Sequence, residues 1–458
     1  MTMDRRTVLT AGLGAGLGAS LAASKAQAGP RMPLQPAAAE ASDGDDLGLI
    51  PGAATDQAVV LQGAIDAAAA RGAPLRLPPG VLRVSALTLR SGSRLIGAAG
   101  ATTLEFIGGF ALLSAEDCET VAIEGLTIDG AYAAFDDIRA GAGALISLRR
   151  CRGVSIRNTT VARSGANGIV LEACSGSVSD CTVTGAMQTG IHSLDATGLE
   201  ILHNAVLDCA NNGIQVWRSE PGEDGTVVAN NRVARIRADG GGSGQNGNGV
   251  NVFRAGGVLV ANNRISDCAY SAVRGNSASD IQIIANSCAR LGEVALYAEF
   301  AFEGALIAGN LVDTAAQGIS VTNFNQGGRL AIVQGNLIRN LLRREQEPQD
   351  KRGVGISVEA DSSVTGNVVE KAPTAGLLIG WGSYMRDVVA TGNLIRAARV
   401  GILVSAQAGA CLIANNMISG ATDGAIRAMD GSGMPTGPDL GHAMGSKERV
   451  TIQGNLAV

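Results

Sequence analysis

Apolar and polar residues alternate along most of this chain in runs too short to be helices, as in Val154-Ser-Ile156, Leu259-Val-Ala261 and Ile281-Gln-Ile283. A period of two predicts strands. From Cys118 onward each run leads to an asparagine, then two residues, then a β-branched or small apolar one. This phase is filled by Asn158, Asp180, Asn204, Asn231, Asn263, Asn286, Asn310, Asn336, Asn367, Asn393, Asn416 and Asn455, with Gly125 holding it in an earlier unit. Successive members are 22 to 39 residues apart. Strand-only repeats of that length predict a solenoid in which each coil buries its inner face against its neighbours. The expected fold is all-β: a single-stranded right-handed parallel β-helix.

An asparagine at a sharp, buried corner tolerates the left-handed backbone region, and its amide can donate to the asparagine one coil away. The ladder therefore reads as an internal turn device rather than a row of ligand-binding amides. The cysteines fall on the same grid. Cys118, Cys151 and Cys174 share one phase, and Cys209 and Cys268 share another, two coils apart. With no Cys/His spacing that matches a zinc site, free buried thiols packed as small apolar groups are expected.

The two ends differ. Residues 1–28 carry Arg5-Arg6, a Gly/Ala-rich weakly apolar run from Val8 to about Ala23, Lys25, and the small-residue site Ala26-Gln27-Ala28. That is the layout of a twin-arginine export signal, which predicts a mature chain starting at Gly29 in a periplasm or outside the cell, with the twin-arginine translocase as partner. Residues 29–46 are Pro/Ala-rich and then acidic, a linker. Residues 47–117 hold a cap and the first coils: Thr55 or Asp56 starts a helix that runs to about Arg71 and ends at Gly72, with Ala58, Leu61 and Ile65 on one face. Residues 118–458 are the repeats. No later segment is long and apolar enough to span a membrane.

Composition narrows the function. Charged residues are 17%, the formal net charge is −5, and there are only four lysines, so no basic stripe exists for a nucleic acid. The chain holds 63 glycines but only 2 Trp, 4 Tyr and 7 Phe. Several of those rings fall in a second repeated phrase, Gly-apolar-x-apolar-x: Gly190 to Leu194, Gly213 to Trp217, Gly249 to Phe253, Glu293 to Tyr297, Gly318 to Thr322 and Gly355 to Glu359. The x positions point outward. One outward column then holds His192, Gln215 and Asn251. The other holds Trp217, Phe253 and Tyr297, with Arg218, Arg254, Arg274 and Glu299 beside them. Rings stack on sugars and arginine holds anions, so these ten residues form the candidate ligand-binding face. The alternative is that the loops Ser219–Gly225 and Asp239–Gly247 cover them as a local core. Trp381, Tyr384 and Arg386, near Asn323 and Phe324, form a second cluster. The motif Gly242-Ser-Gly244-Gln-Asn-Gly247 runs into a strand rather than a helix, so it reads as a loop and not a dinucleotide site. An adjacent acid pair stands at Asp136-Asp137, and no complete catalytic motif is present.

The stretch from Leu47 to Gly100, with its helix and Pro78-Pro79-Gly80 turn, resembles the N-terminal cap of the pectate-lyase-like β-helix superfamily. Taken with the export signal, the asparagine-phased repeats and the phrases VWRSE, GNGVNVFRA and GEVALYAEFAFEGA, the whole chain resembles the twin-arginine-translocated repeat family of alphaproteobacteria. That resemblance implies the fold, the export route and a cofactor-binding repeat, without naming the cofactor. Two functions follow from the residues. One is binding of an acidic polysaccharide or a small-molecule cofactor on the ring and arginine face. The other is a carbohydrate-active enzyme, lyase or epimerase, using that face with His192 or an arginine as base.

Overall fold

The protein is seen here as a computed structural model that describes residues 42–43, 48–136, 143–242, 244–344, 353–405, 408–442, 445–447 and 449–458. The export signal, most of the 29–46 linker, Leu47 and Asp137 lie outside the described residues.

Nearly every strand pairs in parallel with its equivalent one coil further on. Val154–Arg157 pairs with Gly176–Ser179, which pairs with Glu200–Leu202, and so on through Val450–Gln453. One sheet takes 17 strands and the other 28, because the larger gathers two segments of each coil, such as Thr160–Ala162 and Asn167–Glu172. The expected parallel β-helix is what the chain forms. Its interior is built from columns of like residues: Ile156, Val178, Ile201, Val228, Val260 and Ile283 stack in one register and are wholly buried. A core of this kind needs shape-matched aliphatic layers and few rings, which accounts for the scarcity of aromatics.

The asparagine ladder is real from Asn204 to Asn455, and its chemistry is more than a turn. Asn231 Oδ1 accepts both the backbone N–H (2.8 Å) and the Nδ2 (3.0 Å) of Asn204, while its own Nδ2 donates to Ile201 O at 2.8 Å and to Asn263 Oδ1 at 3.0 Å. The same set recurs at Asn263, Asn286, Asn310, Asn336, Asn367, Asn393 and Asn416. Two assignments need correction. Gly125, Asn158 and Asp180 stand one position earlier, at corners with φ of 66°, 47° and 53°, the last two exposed; the ladder position in those coils belongs to Leu126, Thr159 and Cys181. The left-handed conformation falls on the residue before the ladder asparagine (Asn230, Asn262, Gly309, Gly335), not on the asparagine itself. Cys181 ends the row: its N–H donates to Asn204 Oδ1 at 3.0 Å and its thiol to Ile156 O at 3.5 Å.

The cap helix spans Ala58–Ala70 and buries Ala58, Leu61 and Ile65. It starts later than Thr55 because Gln57, its N-cap residue, is tied to Ile50 by two hydrogen bonds of 2.7 and 3.1 Å. Asp56 Oδ1 accepts the Ala58 N–H at 2.9 Å, and Gly72 ends the helix at φ 64°. At the other end the parallel order breaks: Ile426–Met429 meets Pro435–Thr436, and Gly445–Lys447 meets Val450–Gln453, both antiparallel. These pairings cover strand edges that would otherwise template association. All eight cysteines are free and buried.

Candidate ligand-binding site

The outward face of interest lies on the larger sheet, across strands Thr189–Leu194, Asn212–Glu223, Asn248–Gly256, Val273–Asn276, Ser287–Glu299, Leu311–Thr322 and Val354–Val358. The glycine that opens the repeated phrase is a packing requirement. A Cβ on Gly213 would stand 2.5 Å from Gly249 O, and one on Gly355 would stand 2.3 Å from Gly376 O.

The register sets His192, Gln215, Asn251, Arg274, Tyr297, Ser320 and Ser357 in one column. Trp217, Phe253, Asn276, Glu299 and Thr322 form the other. Tyr297 thus belongs with Asn251 and Arg274, not with Trp217 and Phe253 as the phrase implied. Alanine replaces the opening glycine in two coils, at Ala272 and Ala295, so Glu293 passed for the head of a phrase that begins two residues later.

Around Trp217 the candidate residues form a small packed assembly. His192, Trp217 and Phe253 stack edge to face, with ring centroids 5.5 and 5.7 Å apart. Trp217 Nε1 donates to Asn251 Oδ1 at 3.3 Å, and Asn251 Nδ2 donates to Gly244 O at 3.1 Å. Gln215 Oε1 accepts from Thr189 Oγ1 at 3.0 Å. Segments 239–242 and 244–247 of the loop lie over this assembly, fixed by Asn212 Nδ2 to Gln245 O at 2.7 Å and Gly240 N to Asn211 Oδ1 at 2.7 Å. Gln215 and Asn251 are buried, whereas Trp217 and Phe253 stay half-buried. They line a cleft of about 230 Å³ with Gly244, Gln245, Asn251 and Asn276. The loop is therefore both cover and wall. Burial pushes the His192 pKa down to about 4, and its Nε2 meets no hydrogen-bond partner.

The charged members are occupied. Arg274 and Glu299 form a buried bidentate pair at 2.7 and 2.9 Å, with Glu293 Oε2 at 3.6 Å from the guanidinium. That guanidinium also lies 4.8 Å over the Tyr297 ring. Arg218 donates to Ala196 O at 3.3 Å, and Arg254 to Ser219 O at 2.6 Å, its guanidinium 4.8 Å over Phe253. Arg254 is the one that stays beside the ring face and half-buried.

Beyond the Arg274–Glu299 pair the same face opens into a second cleft of about 250 Å³, lined by Tyr297, Phe300, Gln317, Ser320, Thr322, Asn325, Gln326, Ser357, Glu359, Leu378, Trp381 and Tyr384. The expected cluster of Trp381, Tyr384 and Arg386 with Asn323 and Phe324 is here. Trp381 and Tyr384 exchange backbone hydrogen bonds of 3.1 and 2.8 Å. Phe324 stacks on Tyr384 at 5.5 Å and under Arg386 at 5.4 Å. Glu359 Oε2 accepts the N–H groups of Asn323 (2.9 Å) and Phe324 (3.0 Å), which holds the rim loop. Sequence reasoning missed Phe300, Gln317, Ser320, Asn325, Gln326 and Ser357. Ser320 and Ser357 occupied x positions of the phrase, but carried no ring to single them out.

Comparison with known proteins places this geometry in context. Residues 212–395 match the family model described as a right handed beta helix region. Residues 117–289 match that of a periplasmic copper-binding protein, NosD. No curated protein sequence matches the chain. Among solved structures, the N-terminal fragment of the bacteriophage Phi29 gene product 12 aligns with TM-score 0.64 at 16% identity, over 87% of this chain and 73% of that one. A PL6 alginate lyase in complex with a trisaccharide aligns with TM-score 0.53 at 12% identity, over 91% and 95%. The fold is that of the pectate-lyase-like right-handed β-helices.

The copper-binding description does not fit the residues of the matched span. Among the described residues no three His, Cys, Asp or Glu side chains gather as a metal site. The thiols of Cys118, Cys151 and Cys174 point inward and donate to backbone carbonyls. Desolvation pushes Cys174 up to about 12, far from the thiolate that a metal needs.

Proposed function

We propose that this chain is an exported β-helix repeat protein that binds a glycan on the outward ring-bearing face of its larger sheet. The observation that carries this reading is the pair of clefts on one face. Each is walled by half-exposed aromatic rings (Trp217 and Phe253; Trp381 and Tyr384); the first is furnished with amides and the second with amides and hydroxyls. Rings stack on the apolar faces of sugars while amides and hydroxyls both donate and accept. Export is supported by Arg5-Arg6 ahead of the small-residue site at Ala26–Ala28, and the periplasmic description of the family matched at 117–289 agrees with it. A cofactor draws less support, because among the described residues no cluster of metal donors gathers. So does a lyase or epimerase, since a histidine with a pKa near 4 is a weak base at neutral pH and Arg274 is tied to Glu299.

The experiment is titration of the chain with soluble oligosaccharides, followed by tryptophan fluorescence and calorimetry, alongside Trp217→Ala. If the first cleft binds, the variant loses about 1–3 kcal/mol of affinity. It loses less stability than the roughly 3–5 kcal/mol of a fully buried aromatic. Unchanged affinity for every sugar that binds, or a collapse in stability with no specific binding defect, refutes the assignment.

A further inference from the structure

We infer that a second copy of this chain docks on the outward stripe of Leu311, Leu337, Val368, Leu394, Met417 and Leu456, with the two solenoids antiparallel about a two-fold axis. The stripe sits on a different segment of each coil from the two clefts, and its association does not depend on a glycan.

The first observation is a change of chemistry halfway along one column. The residue after each ladder position points outward. In the earlier coils the register stacks Thr127, Thr160 and Thr182 there, and then Arg232 and Arg264. After Ser287 the same column turns apolar for six consecutive coils, from Leu311 to Leu456. These six are not the core. The core is filled one position further on, by residues such as Ile338, Val369 and Ile395, which are wholly buried. Met417 and Leu456 are instead 44% and 54% exposed, and the other four are half-buried. Threonine and arginine are what this column carries where it meets only water. Six apolar side chains in file, about 24 Å long at about 4.8 Å a coil, form the kind of exposed patch that marks an association surface.

The neighbouring column says what covers it. Two residues further along four of these strands stand Asp313, Arg339, Glu370 and Arg396, one per coil and alternating in sign. Arg339 Nη2 meets Asp313 Oδ2 at 2.7 Å and Arg396 Nη1 meets Glu370 Oε1 at 3.7 Å, yet all four side chains keep between 27% and 61% of their exposure. Read backwards, this row is its own complement. A two-fold axis along the strands, passing between Leu337–Arg339 and Val368–Glu370, sets Asp313 over Arg396 of the second copy and Arg339 over its Glu370. The same axis lays Leu337 on Val368 and Leu311 on Leu394. An axis along the solenoid offers no such match: it sets each charge on its own like or, shifted onto the leucines, leaves the charges without a counterpart. The pattern therefore selects an isologous, antiparallel pair. The leucines supply the attraction. The charges, exposed and already paired within the chain, add little affinity but fix register and direction. Two columns make a narrow surface, so the dimer is reversible, at the low end of interface sizes below about 1,200 Å².

The test follows sedimentation of the full chain from micromolar to millimolar concentration. The variants are Leu337→Glu, Leu394→Glu, Leu394→Gln and one that exchanges the whole charge row (Asp313→Arg, Arg339→Asp, Glu370→Arg and Arg396→Glu), each checked by its melting temperature. The expected result is a monomer–dimer equilibrium that each glutamate variant weakens tenfold or more without loss of folding. Leu394→Gln, which keeps the side-chain length, reports in the same direction should the glutamate variants unfold. The exchanged row keeps its pairs within the chain and its own complementarity, so that variant dimerises within threefold of the parent. Mixed with labelled parent it meets a like charge at every position, and hetero-pairs read by energy transfer are at least tenfold rarer than homo-pairs. A monomer at every concentration, a trimer, or a dimer indifferent to the leucine variants overturns the inference. So does an exchanged-row variant that folds without dimerising, or one that pairs with the parent as readily as with itself.

Discussion

The ladder supplies a sharp test because two asparagines that look alike in sequence have opposite roles. Asn310 is buried, and its side chain makes four hydrogen bonds. Nδ2 donates to Ile283 O at 2.9 Å and Asn336 Oδ1 at 3.0 Å; Oδ1 accepts from Asn286 N at 2.9 Å and Asn286 Nδ2 at 3.1 Å. In Asn310→Ala, Asn336 Oδ1 keeps the Asn310 N–H and Asn286 Nδ2 keeps Val260 O. The Ile283 carbonyl and the Asn286 N–H lose these partners. Two buried groups at about 1–3 kcal/mol each give a cost of about 2–6 kcal/mol. Asn158, exposed at φ 47°, carries none of this, and Asn158→Gly should be neutral or stabilise by a few tenths of a kcal/mol. A solenoid need not unfold in one step, so the assay is hydrogen exchange read by mass spectrometry on peptides covering 283–312. Protection there should fall at least about 30-fold in Asn310→Ala, the equivalent of about 2 kcal/mol, with distant coils unchanged. If Asn310→Ala leaves protection within threefold of the parent, or Asn158→Gly costs as much, the account of the ladder is wrong.

Further outcomes follow from burial and from the first residues of the chain. Burial lowers the folded His192 pKa to about 4 against an unfolded value of about 6.5. The unfolded chain therefore binds the extra proton first, and stability present above pH 6.5 is lost as pH falls toward 4, by at most about 3 kcal/mol. Urea midpoints measured from pH 7 to 4 should show that slope flattened in His192→Gln, and an equal slope in both proteins rejects it. The eight thiols should be inert to a thiol-exchange reagent at pH 8 in the native protein and all react once it is unfolded, since desolvation pushes Cys209 and Cys288 up to about 12; rapid native labelling of any of them contradicts their packing. Replacing Arg5 and Arg6 by lysine should leave precursor in the cytoplasm, and undiminished mature protein starting at Gly29 would refute the twin-arginine route.

What was legible in the sequence is what the coil geometry forces to repeat. The strand period, the ladder from Asn204 onward and the opening glycine are each imposed by contact with the next coil. The errors arose where two residues meet the same need. At Asn230-Asn231, Asn262-Asn263 and Asn415-Asn416 both the left-handed corner and the ladder position are asparagine, so Asn158 and Asp180, which are corners only, looked like ladder members. Where alanine stands for glycine at Ala272 and Ala295, the phrase lost its marker and Tyr297 slipped two residues. The fate of the arginines was not legible either. Side chains at a column position meet partners 22 to 39 residues away, and nothing in the local text of Arg274 announces that Glu299 in the next coil will neutralise it.

The irregularities of the repeat carry information of their own. A solenoid that only needed to stand would keep its coils near one length, because every extra residue must be accommodated outside the stack. Two of the three longest ladder intervals, Asn231 to Asn263 and Asn416 to Asn455, contain segments that fold back onto the outward face. In the first, Gly244 and Gln245 wall the cleft of Trp217, with Gly244 bonded to the Asn251 that accepts from the indole. In the second, Gly433 packs directly on the indole of Trp381. The chain has only two tryptophans, and each is braced by one of these insertions. A ring that merely filled space would not need a dedicated loop to hold it half-open. The coincidence of long interval, backing loop and half-exposed indole, twice on one sheet, is what distinguishes this face from the other outward surface of the stack. It also gives a rule for reading related repeats: the sites are to be sought where the coil length departs from the rest and a tryptophan stands within reach of the departure.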